Sequence, residues 1–231
     1  MTPRTSPIPR ACDTKSLAAA CLLLLISIAV PISAKTPPPA LPSWRVMPYR
    51  ATLHSEPAAG FALGVFSARF EHTTLNEVRR ALHVGQLEQQ GDAGGHILWL
   101  CYTNVHAAPA ERIWIVSSGE MGGPDHAVQE IDIENALSGR PSNDCPSLPK
   151  AMTPVIVGAG LEIGSPISSV VLHLGQPSVA WRHWLSFDFE RPSRGDCATG
   201  NIMRFDLTNW LILRSLHGRV QSLHAGQVTS C

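Results

Sequence analysis

The 231-residue sequence lacks an excess of either charge: 18 Lys and Arg balance 18 Asp and Glu, and charged residues are only 16% of the chain. A dedicated nucleic-acid binder carries a clear basic excess, so that class is not expected. No run of acidic or basic residues marks another partner class. The catalytic fingerprints are absent as well. There is no Gly-x-Ser-x-Gly, no His-Glu-x-x-His, no Walker loop and no dinucleotide-binding glycine pattern, so no cofactor is expected. Cysteine pairs of the C-x-x-C type are missing too, and no Cys/His spacing suits zinc, which excludes a metal site of the familiar kinds.

What the chain does have begins at its start. Arg4, Arg10 and Lys15 precede an apolar stretch from Leu17 to Val30, and Pro31-Ile32-Ser33-Ala34 follows with small residues. A basic region, an apolar core and a small-residue end predict a secretory signal peptide over residues 1–34. No other segment is apolar for long enough to cross a membrane as a helix. The remainder is then an exported protein, periplasmic or secreted. Four cysteines stay with it: Cys101, Cys145, Cys197 and Cys231. An even number in an oxidising compartment predicts two disulfides, and four cysteines allow three pairings.

Proline divides what is left. Residues 35–57 contain six prolines and predict an extended arm; residues 137–154 contain four and predict a linker. Between and after them lie two blocks, 58–136 and 155–231, of similar length, which suggests an internal repeat. Leu82-His83-Val84-Gly85 matches Leu172-His173-Leu174-Gly175. Thr74 and Glu77 form a capping box ahead of the apolar positions Leu75, Val78, Ala81 and Leu82, and Ser165-Pro166 opens a second helix. In the first block strands are expected at 61–70, 96–103, 112–118 and 127–133. In the second they are expected at 155–161, 181–189, 203–216 and 219–228, with a turn at His217-Gly218. Each block therefore predicts an α+β unit, a short helix packed on an antiparallel sheet. One disulfide per unit favours Cys101–Cys145 and Cys197–Cys231.

Gly164-Ser165, Val170, Gly175-Gln176-Pro177, a tryptophan-bearing strand and a Gly-Arg-Val strand resemble a known module. It occurs in beta-lactamase-inhibitor proteins and in small lipoproteins of outer-membrane assembly. The resemblance covers residues 155–228 best, and the first block, which lacks the Gly-x-Pro ending, poorly. It implies a helix on an antiparallel sheet, in tandem, in a protein that binds other proteins. It carries over no binding residue, because the matching positions belong to packing and turns.

Candidate binding residues come from the tryptophans. Trp99, Trp114, Trp181, Trp184 and Trp210 all fall on expected strands. Trp181 and Trp184, three apart on one strand, should point to opposite faces. An exposed tryptophan beside Arg182 and Arg191 has the composition of a binding hot spot. The expected function is that of a non-catalytic binding module of the bacterial envelope: an inhibitor, immunity factor or assembly factor whose partner is another envelope or secreted protein. The alternative is an envelope hydrolase with a site at Glu120, Asp125 and His126, which stand within a seven-residue stretch rich in glycine.

Overall fold

A computed structural model describes residues 35–40, 51–92, 95–119, 125–136, 138–196 and 202–230. The signal-peptide segment and both Cys197 and Cys231 lie outside the described residues. Among those described, no helix is long and apolar enough to cross a membrane.

The chain is mostly β. Strands β1 (Gly60–Leu63) and β2 (Phe66–Arg69) form a hairpin, where a single strand was expected; Gly64, at φ +54°, lets the backbone reverse between them. Helix α1 (Leu75–Leu82) follows the expected capping box: the Thr74 side chain accepts from the Glu77 N–H, and the Glu77 carboxylate accepts from the Thr74 N–H. Its left-handed cap is His83 (φ 56°). Next come β3 (Glu88–Gln90), β4 (Ile97–Asn104), β5 (Glu111–Ser118) and β6 (Glu130–Asn135). The second part adds β7 (Val155–Val157), helix α2 (Ile167–Leu174), β8 (Val179–Trp181), β9 (Trp184–Asp196), β10 (Ile202–Leu216) and β11 (Arg219–Ser230). Ser165 does not cap α2, which starts from Pro166 without a side-chain cap. The Ser165 hydroxyl accepts instead from the Glu162 N–H.

This corrects the expectation of two α+β repeats, each a helix on its own sheet. One antiparallel sheet of eight strands runs through both blocks in the order β3-β4-β5-β6-β11-β10-β9-β8. A second sheet, β2-β1-β7, takes strands from both blocks as well. The physical reason lies in helix length. Eight residues of helix span about 12 Å, too little to cover the face of a multi-stranded sheet. Each block would also leave a strand edge bare, at β6 and at β11. Pairing β6 with β11 (Ile133 opposite Leu223, Ile131 opposite Ala225) closes both edges at once and makes one core.

That core lies on one face of the large sheet. Leu100, Tyr102, Ile113, Ile115, Ile131, Ile133, Leu211, Leu213 and Phe187 point into it, and all are buried. Against them pack Phe61 and Leu63 of β1, Leu75, Val78 and Leu82 of α1, and Val170 of α2. The small sheet and the two short helices together cover what neither helix could.

Described residues of the second proline-rich segment are hydrogen-bonded to the large sheet. In 137–154 the Pro146 carbonyl accepts from the Thr103 N–H (2.8 Å) and the Leu148 N–H donates to the Thr103 carbonyl (2.8 Å). The disulfide Cys101–Cys145 fastens the same stretch to β4, with both cysteines buried. A bond of this kind persists in oxidising compartments.

Candidate functional site

The opposite face of the large sheet carries the tryptophans. Side chains alternate along a strand and match across it, so the register assigns each residue to a face. Trp99 and Val116 are opposite each other, as are Cys101 and Trp114, Trp210 and Gly226, and Trp181 and Trp184. Continuing across the strands, Trp114 meets Asp132, which meets His224. All five strand tryptophans therefore stand on one face, away from the main core. The sixth, Trp44, lies outside the described residues.

This corrects the expectation that Trp181 and Trp184 diverge. They do not share a strand: a two-residue turn, Arg182-His183, separates β8 from β9, and Arg182 takes φ +53° there. The tryptophans are cross-strand partners and so emerge on the same side.

The face has a closed half and an open end. On the closed half, Trp99, Cys101, Trp114, Val116 and Cys145 form a second buried cluster. Both indole N–H groups, from Trp99 and Trp114, donate to the Thr36 carbonyl at 3.1 Å. The Thr36 hydroxyl bonds the Asp144 carboxylate, and Lys35 reaches Glu88 at 3.2 Å. Residues 35–40, the first part of the proline-rich stretch, pass over these tryptophans.

At the centre, on the seam where β6 joins β11, Asp132 Oδ1 and His224 Nδ1 lie 2.7 Å apart, their side chains 2% and 1% exposed. Burial pushes the Asp132 carboxyl up to about 8. A hydrogen bond with Glu130 opposes this, and the charge of Glu134 adds to it. Burial also lowers the His224 imidazole, against the attraction of Glu130 and Glu134. The two shifts describe one proton held between carboxyl and imidazole. Donor atoms of Glu130, Asp132 and His224 lie within 4.8 Å of one another, close enough for a metal ion. The direct Asp132–His224 hydrogen bond occupies Nδ1, while the buried His224 Nε2 has no hydrogen-bond partner among the described residues.

Gly226 has a steric role beside this pair. A Cβ there would sit 2.4 Å from the Trp210 ring and 2.6 Å from the Gln129 carbonyl oxygen. Gly226→Ala should therefore cost about 1–3 kcal/mol through overpacking, read as a lowered urea midpoint with an unchanged slope. An unshifted midpoint would show that Trp210 can move aside freely.

At the open end, Trp181 is 45% exposed and the Arg182 guanidinium lies 4.4 Å from its ring centroid. Trp184 is half-buried, its ring 5.9 Å from that of His224. Three of the four sequence candidates thus come together. The fourth does not: Arg191 falls on the other face, opposite Leu207, where it pairs with Glu56 at 3.5 Å. Seven residues of strand, about 23 Å, also separate it from Trp184.

Of the alternative catalytic group, Glu120 lies outside the described residues. Asp125 is exposed, and no hydrogen bond or ion pair among the described residues joins it to His126. His126 holds φ +53° and its carbonyl accepts the Leu75 N–H at 3.0 Å, at the start of α1. The sequence reading missed Asp132–His224 altogether. The strand Glu130-Ile131-Asp132-Ile133-Glu134 alternates polar and apolar residues, so Asp132 reads there as an ordinary polar-face position and no local pattern signals the pair. Comparison with family models, with curated proteins and with solved structures finds no match to this chain.

Proposed function

We propose that this protein is an exported, non-catalytic binding module of the bacterial envelope, periplasmic or secreted, that recognises another envelope or secreted protein. Inhibitor, immunity factor and assembly factor are the roles this reading includes. The observation that carries it is Trp181: a large aromatic ring, nearly half exposed at a hairpin tip, with a guanidinium stacked on it. Tryptophan and arginine are the residues most enriched among those that dominate binding energy. The buried disulfide supports the oxidising compartment. The hydrolase reading draws no support from Asp125 and His126, which are not joined and of which one helps to start a helix.

The test is an affinity capture with the oxidised protein, run beside Trp181→Ala and Arg182→Ala, against envelope and secreted proteins of its own source. Trp181→Ala should keep the circular dichroism of the parent and nearly its unfolding midpoint, since close to half of Trp181 is already exposed. Its affinity for a recovered partner should fall by about 2 kcal/mol or more, roughly thirtyfold. A partner retained equally by both variants would remove Trp181 from the contact surface. Asp125→Ala with His126→Ala should leave binding unchanged.

A further inference from the structure

The end of the sheet that holds Trp181 carries a concentration of positive charge that the neutral chain does not show elsewhere in its sequence-wide balance. Two turns meet there. The Ser215 N–H donates to the His183 carbonyl at 2.7 Å, which ties β10 to the β8–β9 turn. Arg214 stands opposite Trp184, and Arg219 opposite Leu216 across the His217-Gly218 turn. Arg182, His183, Arg214, His217 and Arg219 are all exposed. Residues 179–185 and 213–220 contain three arginines and no Asp or Glu.

Among the described residues neither Arg182 nor Arg214 has an acidic partner. Arg219 donates to a neutral group, the Gly164 carbonyl, at 2.8 Å. The nearest carboxylate by register is Glu134, two strands from Arg214 through Ser222, about 10 Å away. Glu162 lies two residues before Gly164. Exposed apolar surface accompanies the charge: Trp181 is 45% and Leu216 43% exposed.

Resting on the binding reading above, we infer that this end recognises an acidic protein segment, one that sets carboxylates against Arg182 and Arg214 and an apolar side chain against Trp181. Complementary charge steers such a partner and fixes its register, while the aromatic contact supplies the desolvated centre. The guanidinium stack keeps Arg182 in place before the partner arrives, which lowers the entropy lost on binding.

Selection of a phage-displayed random peptide library on the immobilised oxidised protein tests this without knowledge of the partner. Enriched peptides should carry an excess of Asp and Glu together with at least one large apolar residue. Synthetic copies should bind about tenfold more weakly to Arg182→Glu and to Arg214→Glu, and more weakly as salt is raised. Peptides that lose affinity for Trp181→Ala yet show no acidic excess would overturn the inference while leaving the binding module standing. Peptides indifferent to all three substitutions would overturn both. Co-sedimentation with phosphatidylglycerol vesicles, lost in the two charge reversals and stronger than any peptide binding, would assign the surface to an anionic membrane and likewise overturn it.

Discussion

Asp132→Ala is expected to lower stability by about 1–3 kcal/mol, the cost of leaving a buried neutral imidazole without its hydrogen-bond partner. The His224 imidazole would be left 1% exposed, with its Nδ1 bond to Asp132 removed. Asp132→Asn should cost far less near neutral pH, because an amide N–H can donate to Nδ1 as a protonated carboxyl does. The two variants separate more sharply with pH. In the unfolded chain the groups titrate near their ordinary values, 3.8 for Asp and 6.5 for His. A folded value raised to about 8 means stability present in acid and lost as pH rises through 8. A folded imidazole value lowered from 6.5 contributes the opposite, stability lost as pH falls below 6.5. From 6.5 down to the lowered value of the folded imidazole, folded and unfolded chains each hold one proton, so this pair gives a flat profile there. Between 6.5 and about 8 only the folded chain holds it, and stability should fall by about 1.4 kcal/mol per pH unit. In Asp132→Asn that alkaline fall should vanish, leaving only a loss below 6.5. Urea unfolding across this range, wild type against variant, decides it. A parallel fall in both proteins would show that Asp132 does not hold the proton.

Replacing Cys101 and Cys145 together by Ala should cost about 4 kcal/mol on the chain-entropy account of a loop closed over a separation of 44 residues. Those bonds of the 137–154 segment that run to Thr103, and the burial of Trp99 and Trp114, depend on the same closure. The indole fluorescence of the closed half should then shift to longer wavelength before the rest of the sheet unfolds. Reduction of the wild type under mild denaturant should reproduce the loss. A double variant within about 1 kcal/mol of the parent would show that hydrogen bonds to Thr103 already hold the segment.

Local features of the fold were legible in the sequence. The capping box at Thr74 and Glu77 is satisfied within four residues, so no distant contact can change it much. The His217-Gly218 turn and the tryptophan-bearing strands follow from turn chemistry and apolar patterning. The Cys101–Cys145 bond is present although the repeat that suggested it is not a separate unit. What holds it is the pairing of Thr103 with Ser147, which brings the following stretch alongside β4.

The candidate site was less legible, and for a definite reason. A strand's alternation says which residues share a face only once the turns are placed, and the unseen turn at Arg182-His183 reversed the relation of Trp181 to Trp184. Arg191 illustrates the same parity: two residues in register could have placed it, but no local signal says which face the core takes.

By itself, then, the sequence determined the composition of this protein's parts: an apolar leader-like segment, two short helices, the first with its capping box, antiparallel strands, an even set of cysteines and a group of tryptophans awaiting a surface. Only the tertiary structure decided how those parts met. Hydrogen-bonding β6 to β11 was preferable to leaving two bare edges under helices too short to cover them, and that one pairing merged two blocks into a single sheet. It also brought Asp132 against His224, 92 residues apart, where desolvation raises the carboxyl and lowers the imidazole. No local pattern encodes such a contact, because its energy exists only after water has been removed from both groups.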